Sequence, residues 1–137
     1  MKKEEVLERL QELGFDMEEA LDIGCYIFKL EGRTFFYIPE ESDENMLRFA
    51  ALNNFDVTED NRAFVLEVMN DINMNIKYIK VCIIGDQVWA FYEHRLFGEF
   101  DIEEIIMHVL LFLRATIVKF DNIVEGGDFE NIDEDNE

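Results

Sequence analysis

The pattern of apolar and polar residues over 58–96 predicts a helix followed by a β-hairpin, and the rest of the chain can be arranged around this unit. Five apolar residues recur at helical spacing and form one stripe: Phe64, Val65, Val68, Met69 and Ile72. Thr58 precedes the stripe, and its hydroxyl can accept from backbone amides two or three residues on, as a helix cap does. Asn73 is expected to end the helix, because asparagine tolerates the left-handed conformation that often follows a helix.

Two strands complete the unit, at 76–84 and 88–96, because β-branched and aromatic residues dominate both segments. Gly85 and Asp86 separate them, and glycine in the first position of a two-residue loop suits a type II′ turn. Both strands are apolar on both faces, whereas a sheet with one solvated face alternates more cleanly. A helix, a partner or a second subunit must therefore cover part of each face.

The elements before this unit are a helix over 2–14 and a hairpin over 24–38. Val6, Leu7, Leu10 and Leu13 form the helix stripe, and the hairpin turns at Glu31-Gly32, where glycine supplies a positive φ. Residues 45–52 predict a third strand, although a short helix is an alternative because alanine and leucine weaken the β pattern.

The last predicted element is a helix from Asp101 to about Phe120, and Glu104 completes a capping-box pattern at its start. Its apolar stripe is wide, which is typical of a helix that is buried or covered by a partner. The order α-β-β-β-α-β-β-α predicts an α+β domain with an antiparallel sheet of about five strands. We expect one domain over 1–124 and an acidic, disordered tail over 125–137.

The net charge of −20 restricts the possible partners. The charge argues against nucleic acid as a partner because phosphate binding needs basic residues, and it disfavours anionic membrane surfaces for the same reason. The start of the chain carries no apolar segment typical of a signal peptide, and the apolar run 105–118 is interrupted by His108 and Arg114. These observations predict a cytoplasmic protein with two buried, reduced cysteines, Cys25 and Cys82.

No catalytic pattern is evident in the sequence. Glu104 and His108 are four residues apart on the last predicted helix, but two ligands make a weak metal site, so an ordinary surface pair is the better interpretation. Ser42 is the only serine, and it lies in an acidic loop that opposes formation of a negatively charged nucleophile. We therefore expect no catalytic residues, no metal, no cofactor and no enzymatic activity.

Several motifs resemble those of a known family. They are the helix end Asn70-Asp71-Ile72-Asn73, Lys80 in the following strand, the hairpin glycine Gly85, Leu96 with Gly98 in the connector, and the helix start Asp101-Ile102-Glu103-Glu104. Over roughly residues 1–120 the chain resembles the YbjN-like family, whose fold is that of the type III secretion chaperones. The resemblance implies a non-enzymatic protein with links to regulation, and the secretion chaperones of this fold are acidic homodimers that hold a client segment on apolar patches.

The surplus of apolar residues on both sheet faces indicates an interface. We therefore predict a homodimeric, chaperone-like or regulatory adaptor that binds a protein client through Phe64, Val68, Trp89 and Phe91. Each of these four residues could equally belong to the core. An alternative is an acidic inhibitor that blocks a basic partner, since electrostatic steering makes strong acidity useful. A third is a binder of a small apolar ligand in an aromatic cleft.

Overall fold

The structure is a computed structural model that describes residues 3–20 and 22–126, and this part of the chain holds three helices and six strands. Their bounds are α1 Lys3–Glu12, β1 Glu18–Ala20, β2 Cys25–Leu30, β3 Arg33–Tyr37, β4 Met46–Asp56, α2 Arg62–Asn75, β5 Ile79–Ile84, β6 Gln87–Arg95 and α3 Ile102–Gly126. The predicted α+β class and element order are confirmed, with one short strand added before the first hairpin.

The six strands form one antiparallel sheet in the order β1-β2-β3-β4-β6-β5. Glu31 and Gly32, in the β2–β3 turn, both have positive φ, as a type I′ turn requires. Gly85 has a φ of 64°, which agrees with the glycine-first turn predicted between β5 and β6. β4 pairs with β6 along most of its length, and the register shifts between Asn53 and Asp56, which marks a bulge.

The strands differ from the prediction in three places. β1 was missed, because Glu18, Glu19 and Ala20 carry no β-propensity and pair only because β2 lies beside them. The segment over 45–52 is a strand as predicted, and not the alternative short helix, but it extends to Asp56. The strand predicted over 76–84 begins only at Ile79, because Tyr78 has a φ of 66° and so cannot continue a strand.

The end of α2 differs from the prediction, and the helix begins later than expected, but the Thr58 hydroxyl accepts from the amide three residues on, as predicted. The helix begins at Arg62, directly after Asn61. Thr58 and Asn61 are joined by two hydrogen bonds between backbone and side chain. The Asn61 backbone N–H donates to Thr58 Oγ1 at 3.3 Å, and the Thr58 N–H donates to Asn61 Oδ1 at 2.8 Å. Asn73 does not end the helix, which continues to Asn75, because its side chain bonds to a neighbouring strand instead.

The start of α3 is as predicted, and its end is later. The Glu104 backbone N–H donates to Asp101 Oδ1 at 3.1 Å, so Asp101 caps the helix. The helix extends beyond Phe120 to Gly126, so Glu125 and Gly126 belong to it and not to a tail. The rest of the segment expected to be disordered, 127–137, lies outside the described residues.

All three helices pack on the same face of the sheet. α3 contacts α1, α2 and strands β4, β5 and β6, and α2 also contacts β5. One large core forms between the helices and this face, and its fully buried side chains include Phe28, Phe35, Phe49, Ile106 and Phe120. Within the described part of the chain no helix covers the opposite face, so the second apolar face of the strands has no layer of its own.

Candidate functional site

The strand registers define the residues of the uncovered face. Partners in the ladders lie on the same face, and one row across four strands contains Ile27, Phe36, Ala50 and Phe91. The adjacent row contributes Leu52 and Trp89, which are opposite each other on β4 and β6. We call these six residues the open-face patch.

The patch is packed tightly although no helix covers it. The Trp89 ring lies 4.9 Å from the Phe36 ring and 6.1 Å from the Phe91 ring, measured between centroids. Cys25, Phe36 and Ala50 are buried by these neighbours, whereas Trp89 and Phe91 are half-buried. The aromatic rings are therefore held in fixed positions with part of their surface in solvent, which is typical of an interface.

Ion pairs border the patch. Glu93 on β6 accepts a hydrogen bond from Lys80 Nζ at 3.0 Å and forms an ion pair with Arg48 at 3.6 Å, and Arg48 also pairs with Glu40 at 3.2 Å. The Lys80 ammonium lies 5.9 Å from the centroid of the Phe91 ring, within the range of a cation–π contact. Positive and negative charges balance along this border, while the whole chain carries −20, so the open face is less acidic than the rest of the protein.

Both edges of the sheet are protected. On the β5 edge, Asn73 Nδ2 donates to the Val81 carbonyl at 3.1 Å, and the Val81 N–H donates to Asn73 Oδ1 at 2.7 Å. The β1 edge is three residues long, and two of them, Glu18 and Glu19, are charged and exposed. Short, charged or covered edges prevent another chain from adding a strand.

The structure separates the four residues predicted to bind protein. Trp89 and Phe91 lie together in the open-face patch. Val68 is fully buried in the core between α2 and the sheet, so it cannot contact a partner, and Phe64 packs against the same core. The sequence reasoning missed Ile27 and Phe36, although their alternation with Phe28 and Phe35 indicated a second apolar face. The role of Trp89 and Phe91 in binding stays a prediction.

The thiols have the environment of structural cysteines. Burial raises the pKa of Cys25, and the nearby Asp22 carboxylate raises it further. Burial also raises the pKa of Cys82, although Lys80 opposes this shift. A raised pKa keeps a thiol protonated and weakly nucleophilic. Both cysteines are free.

Other candidate chemistry is sparse in the described residues. The Ser42 hydroxyl donates to a Glu40 carboxylate oxygen at 2.7 Å in an exposed turn. Glu104 and His108 line the same surface cavity, but nowhere in residues 3–20 and 22–126 do three histidine, cysteine or acidic side chains come together as metal ligands. The absence of enzymatic activity stays a prediction.

Among the helices of residues 3–20 and 22–126, none is both long enough and apolar enough to cross a membrane. This includes the 25-residue helix α3, in which His108, Arg114, Lys119 and Asp121 interrupt the apolar sequence.

Comparison with known proteins identifies relatives of this fold. The model of the YbjN family, described as "Putative bacterial sensory transduction regulator", matches residues 2–116. A solved structure titled "Crystal structure of YbjN, a putative transcription regulator from E. coli" superposes with a TM-score of 0.70 at 10% sequence identity, covering 93% of this chain and 94% of that one. At this identity the structural similarity concerns the fold. No curated protein matches the chain.

Proposed function

This chain belongs to the YbjN family, and from that premise we propose that it is a non-enzymatic regulatory protein that binds a protein partner through the open face of its sheet. The open-face patch is the observation that carries the proposal. Six apolar residues from four strands meet there, with two half-buried aromatic rings at the β6 end. Contiguous apolar surface of this kind marks interaction sites.

The edges of the sheet indicate how the partner binds. A partner that adds a strand needs free backbone groups along an edge strand. Asn73 occupies those groups at Val81 on β5, and β1 offers only three residues. A partner is therefore expected to cover the face of the sheet and not to extend its edge.

The width of the patch suits an amphipathic helix of the partner. From Ile27 on β2 to Phe91 on β6 the patch crosses three strand spacings, or about 14 Å. A helix with its side chains is about 10–12 Å across, so its apolar stripe can lie on this row. Such a helix would give the open face the same kind of cover that α1, α2 and α3 give the other face.

The charge distribution supports an apolar contact. Lys80 and Arg48 are balanced by Glu93 and Glu40 at the border of the patch, so a docking helix meets little net charge. Binding through this face should persist at high salt, because apolar contacts are not screened. We expect the interaction to take place in the cytoplasm, where Cys25 and Cys82 stay reduced.

A second candidate function, an acidic inhibitor of a basic partner, draws support from the net charge of −20. It predicts contacts outside the open face, on the acidic surface of the helices and loops. It also predicts association that weakens strongly as salt is added, so salt dependence separates the two functions.

Site-specific photo-crosslinking in the host cell tests the proposal. The probe p-benzoylphenylalanine is placed at Ile27 in the open-face patch, and in a control at Leu111, which is 59% exposed on α3. We expect one protein to crosslink at Ile27 and not at Leu111. The purified complex of the two proteins should persist in 1 M salt, where the Debye length is about 3 Å and charge interactions are screened. The Phe91→Asp variant should not form this complex.

Three results would contradict the proposal. Crosslinks only at Leu111 would place the interface on the helix layer. A crosslink at Ile27 to a second copy of the chain would show that the open face forms the interface of the homodimer that the sequence predicted. Absence of any adduct at Ile27, with the protein folded and expressed, would leave the face without a partner.

A further inference from the structure

Tyr78 holds an unusual backbone conformation at the centre of an aromatic cluster. Its φ of 66° is in the left-handed region, which bulky residues rarely adopt. Its ring centroid lies 5.2 Å from that of His94, 5.7 Å from Tyr92, 5.6 Å from His108 and 5.9 Å from Phe112. The cluster thus includes both histidines of the chain.

A surface cavity of about 240 Å³ opens beside this cluster. Its lining comes from the turn before β5, from β6 with the connector after it, and from α3: Tyr78, Tyr92, His94, Leu96, Glu104, Ile105 and His108. Four of these seven side chains are aromatic rings. Glu104 is the one carboxylate in the lining, and no lysine or arginine belongs to it.

The walls of the cavity are ordered by contacts on several sides. Tyr92 is fully buried, and its hydroxyl lies 3.3 Å from Nδ1 of His108. The His108 ring in turn packs at 4.3 Å on Phe112, one turn further along α3. Burial, with a smaller effect from Tyr78, raises the pKa of Tyr92 to about 12, so its phenol is neutral in physiological solution. The rings therefore form a preorganised wall.

We propose that this cavity binds a small organic cation with an alkylated ammonium group. Aromatic faces attract such cations through their quadrupole, and methylated ammonium groups lose little hydration when they leave water. The Glu104 carboxylate adds an opposite charge at the wall. The net charge of −20 raises the local concentration of any cation near the protein.

The composition of the cavity argues against other ligands. An anion would meet Glu104 with no lysine or arginine in the lining to balance it. A metal ion would find too few ligands, since the described residues hold no group of three suitable side chains. A neutral apolar molecule would fit the rings but would make no use of the carboxylate.

Matched ligands test the role of the positive charge. Choline is titrated into the full-length protein while the imidazole resonances of His94 and His108 are followed by NMR. Its neutral isostere, 3,3-dimethylbutan-1-ol, has the same shape without the charge. We expect saturable shifts with choline, and binding of the isostere weaker by about threefold or more, in line with the energy of a cation–π contact. Equal affinity of the two ligands, or shifts that do not saturate, would overturn the proposal.

Matched variants test the site. Glu104→Gln removes the carboxylate in the lining, and the adjacent Glu103→Gln removes an exposed carboxylate outside it. We expect choline affinity to fall severalfold with Glu104→Gln and to stay within error with Glu103→Gln. The same loss of choline affinity in both variants would show that only the overall charge of the protein matters, and it would overturn the proposed site. Phe91→Asp in the open-face patch should leave choline binding unchanged, so this inference and the proposed function can fail independently.

Discussion

The side-chain amide of Asn73 on α2 makes two hydrogen bonds to the backbone of Val81 on β5, one through Nδ2 and one through Oδ1. An amide side chain presents a donor and an acceptor side by side, as a neighbouring strand does. Asn73 therefore pairs with the edge strand in place of another strand. It also ties α2 to the sheet at the point where no further strand follows.

Replacement of Asn73 by alanine tests this pairing. Asn73→Ala should lower the free energy of unfolding by about 1–2 kcal/mol, because two hydrogen bonds to the backbone are lost. It should also promote self-association, because Val81 is then free to pair with another chain. Urea denaturation and light scattering measure the two effects. Asn70→Ala is the control, since Asn70 is exposed on the same helix and its amide donates to the Met74 sulfur at 3.6 Å.

The β2–β3 turn contains a residue with an unfavourable conformation. Glu31 has a φ of 53° and forms an exposed ion pair with Arg114 at 2.5 Å. Glu31→Asn gives the Asn-Gly pair that type I′ turns favour, whereas Glu31→Gln removes the same ion pair without relieving the backbone. We expect the asparagine variant to be more stable than the glutamine variant by about 0.5–1 kcal/mol. Thermal unfolding of the two proteins measures the difference, and equal stability would contradict the argument.

Tyr92 should make the fold sensitive to alkaline pH. Its pKa is about 12 in the folded protein, because burial disfavours the charged phenolate, and its ordinary value is 10. The stability from Tyr92 is therefore fully present below pH 10 and is lost as the pH rises through 12. In Tyr92→Phe the free energy of unfolding should fall less steeply between pH 10 and pH 12. Chemical denaturation at closely spaced pH values measures this slope, and an unchanged slope would refute the assignment.

Trp89 is the only tryptophan in the chain, and its place in the open-face patch makes it a reporter of that surface. Because the ring is half-buried, we expect acrylamide to quench its fluorescence in the free protein. A partner helix on the open face should reduce this quenching and shift the emission to shorter wavelength. The helix layer offers a comparison, since a ligand bound there should leave the Trp89 signal unchanged.

Local patterns predicted the elements well because each helix or strand buries a face that its own sequence specifies. The stripe that includes Val65, Val68 and Ile72 lies in the core as its spacing indicated. The sequence also showed that both faces of the strands are apolar. It did not show which face the helices leave uncovered, because that depends on how separate segments pack. Trp89 could therefore be proposed for an interface, but it could not be distinguished from Val68.

The remaining errors have a common physical origin in tertiary contacts. Asn73 has the local preference of a helix end, yet its bonds to Val81 keep it within α2. Tyr78 has the preference of a strand residue, yet it adopts a left-handed conformation in which its ring contacts His94 and His108. In both cases a contact with a distant segment outweighs the local preference. The proposed cation site depends on the second of these contacts, so the sequence placed Glu104 beside His108 but did not show that Tyr78 and His94 join them.

The β4–β6 ladder also has a consequence for the order of folding. β1 to β4 follow one another as neighbours, and β5 and β6 form a hairpin, so each half of the sheet can form from contacts close in sequence. Only β4 and β6 join the halves, and α2 and β5 lie between them in the chain. Closing this long loop costs more chain entropy than closing any of the hairpins. We therefore expect the two halves to form early and the β4–β6 ladder to set the rate at which the protein reaches its native state.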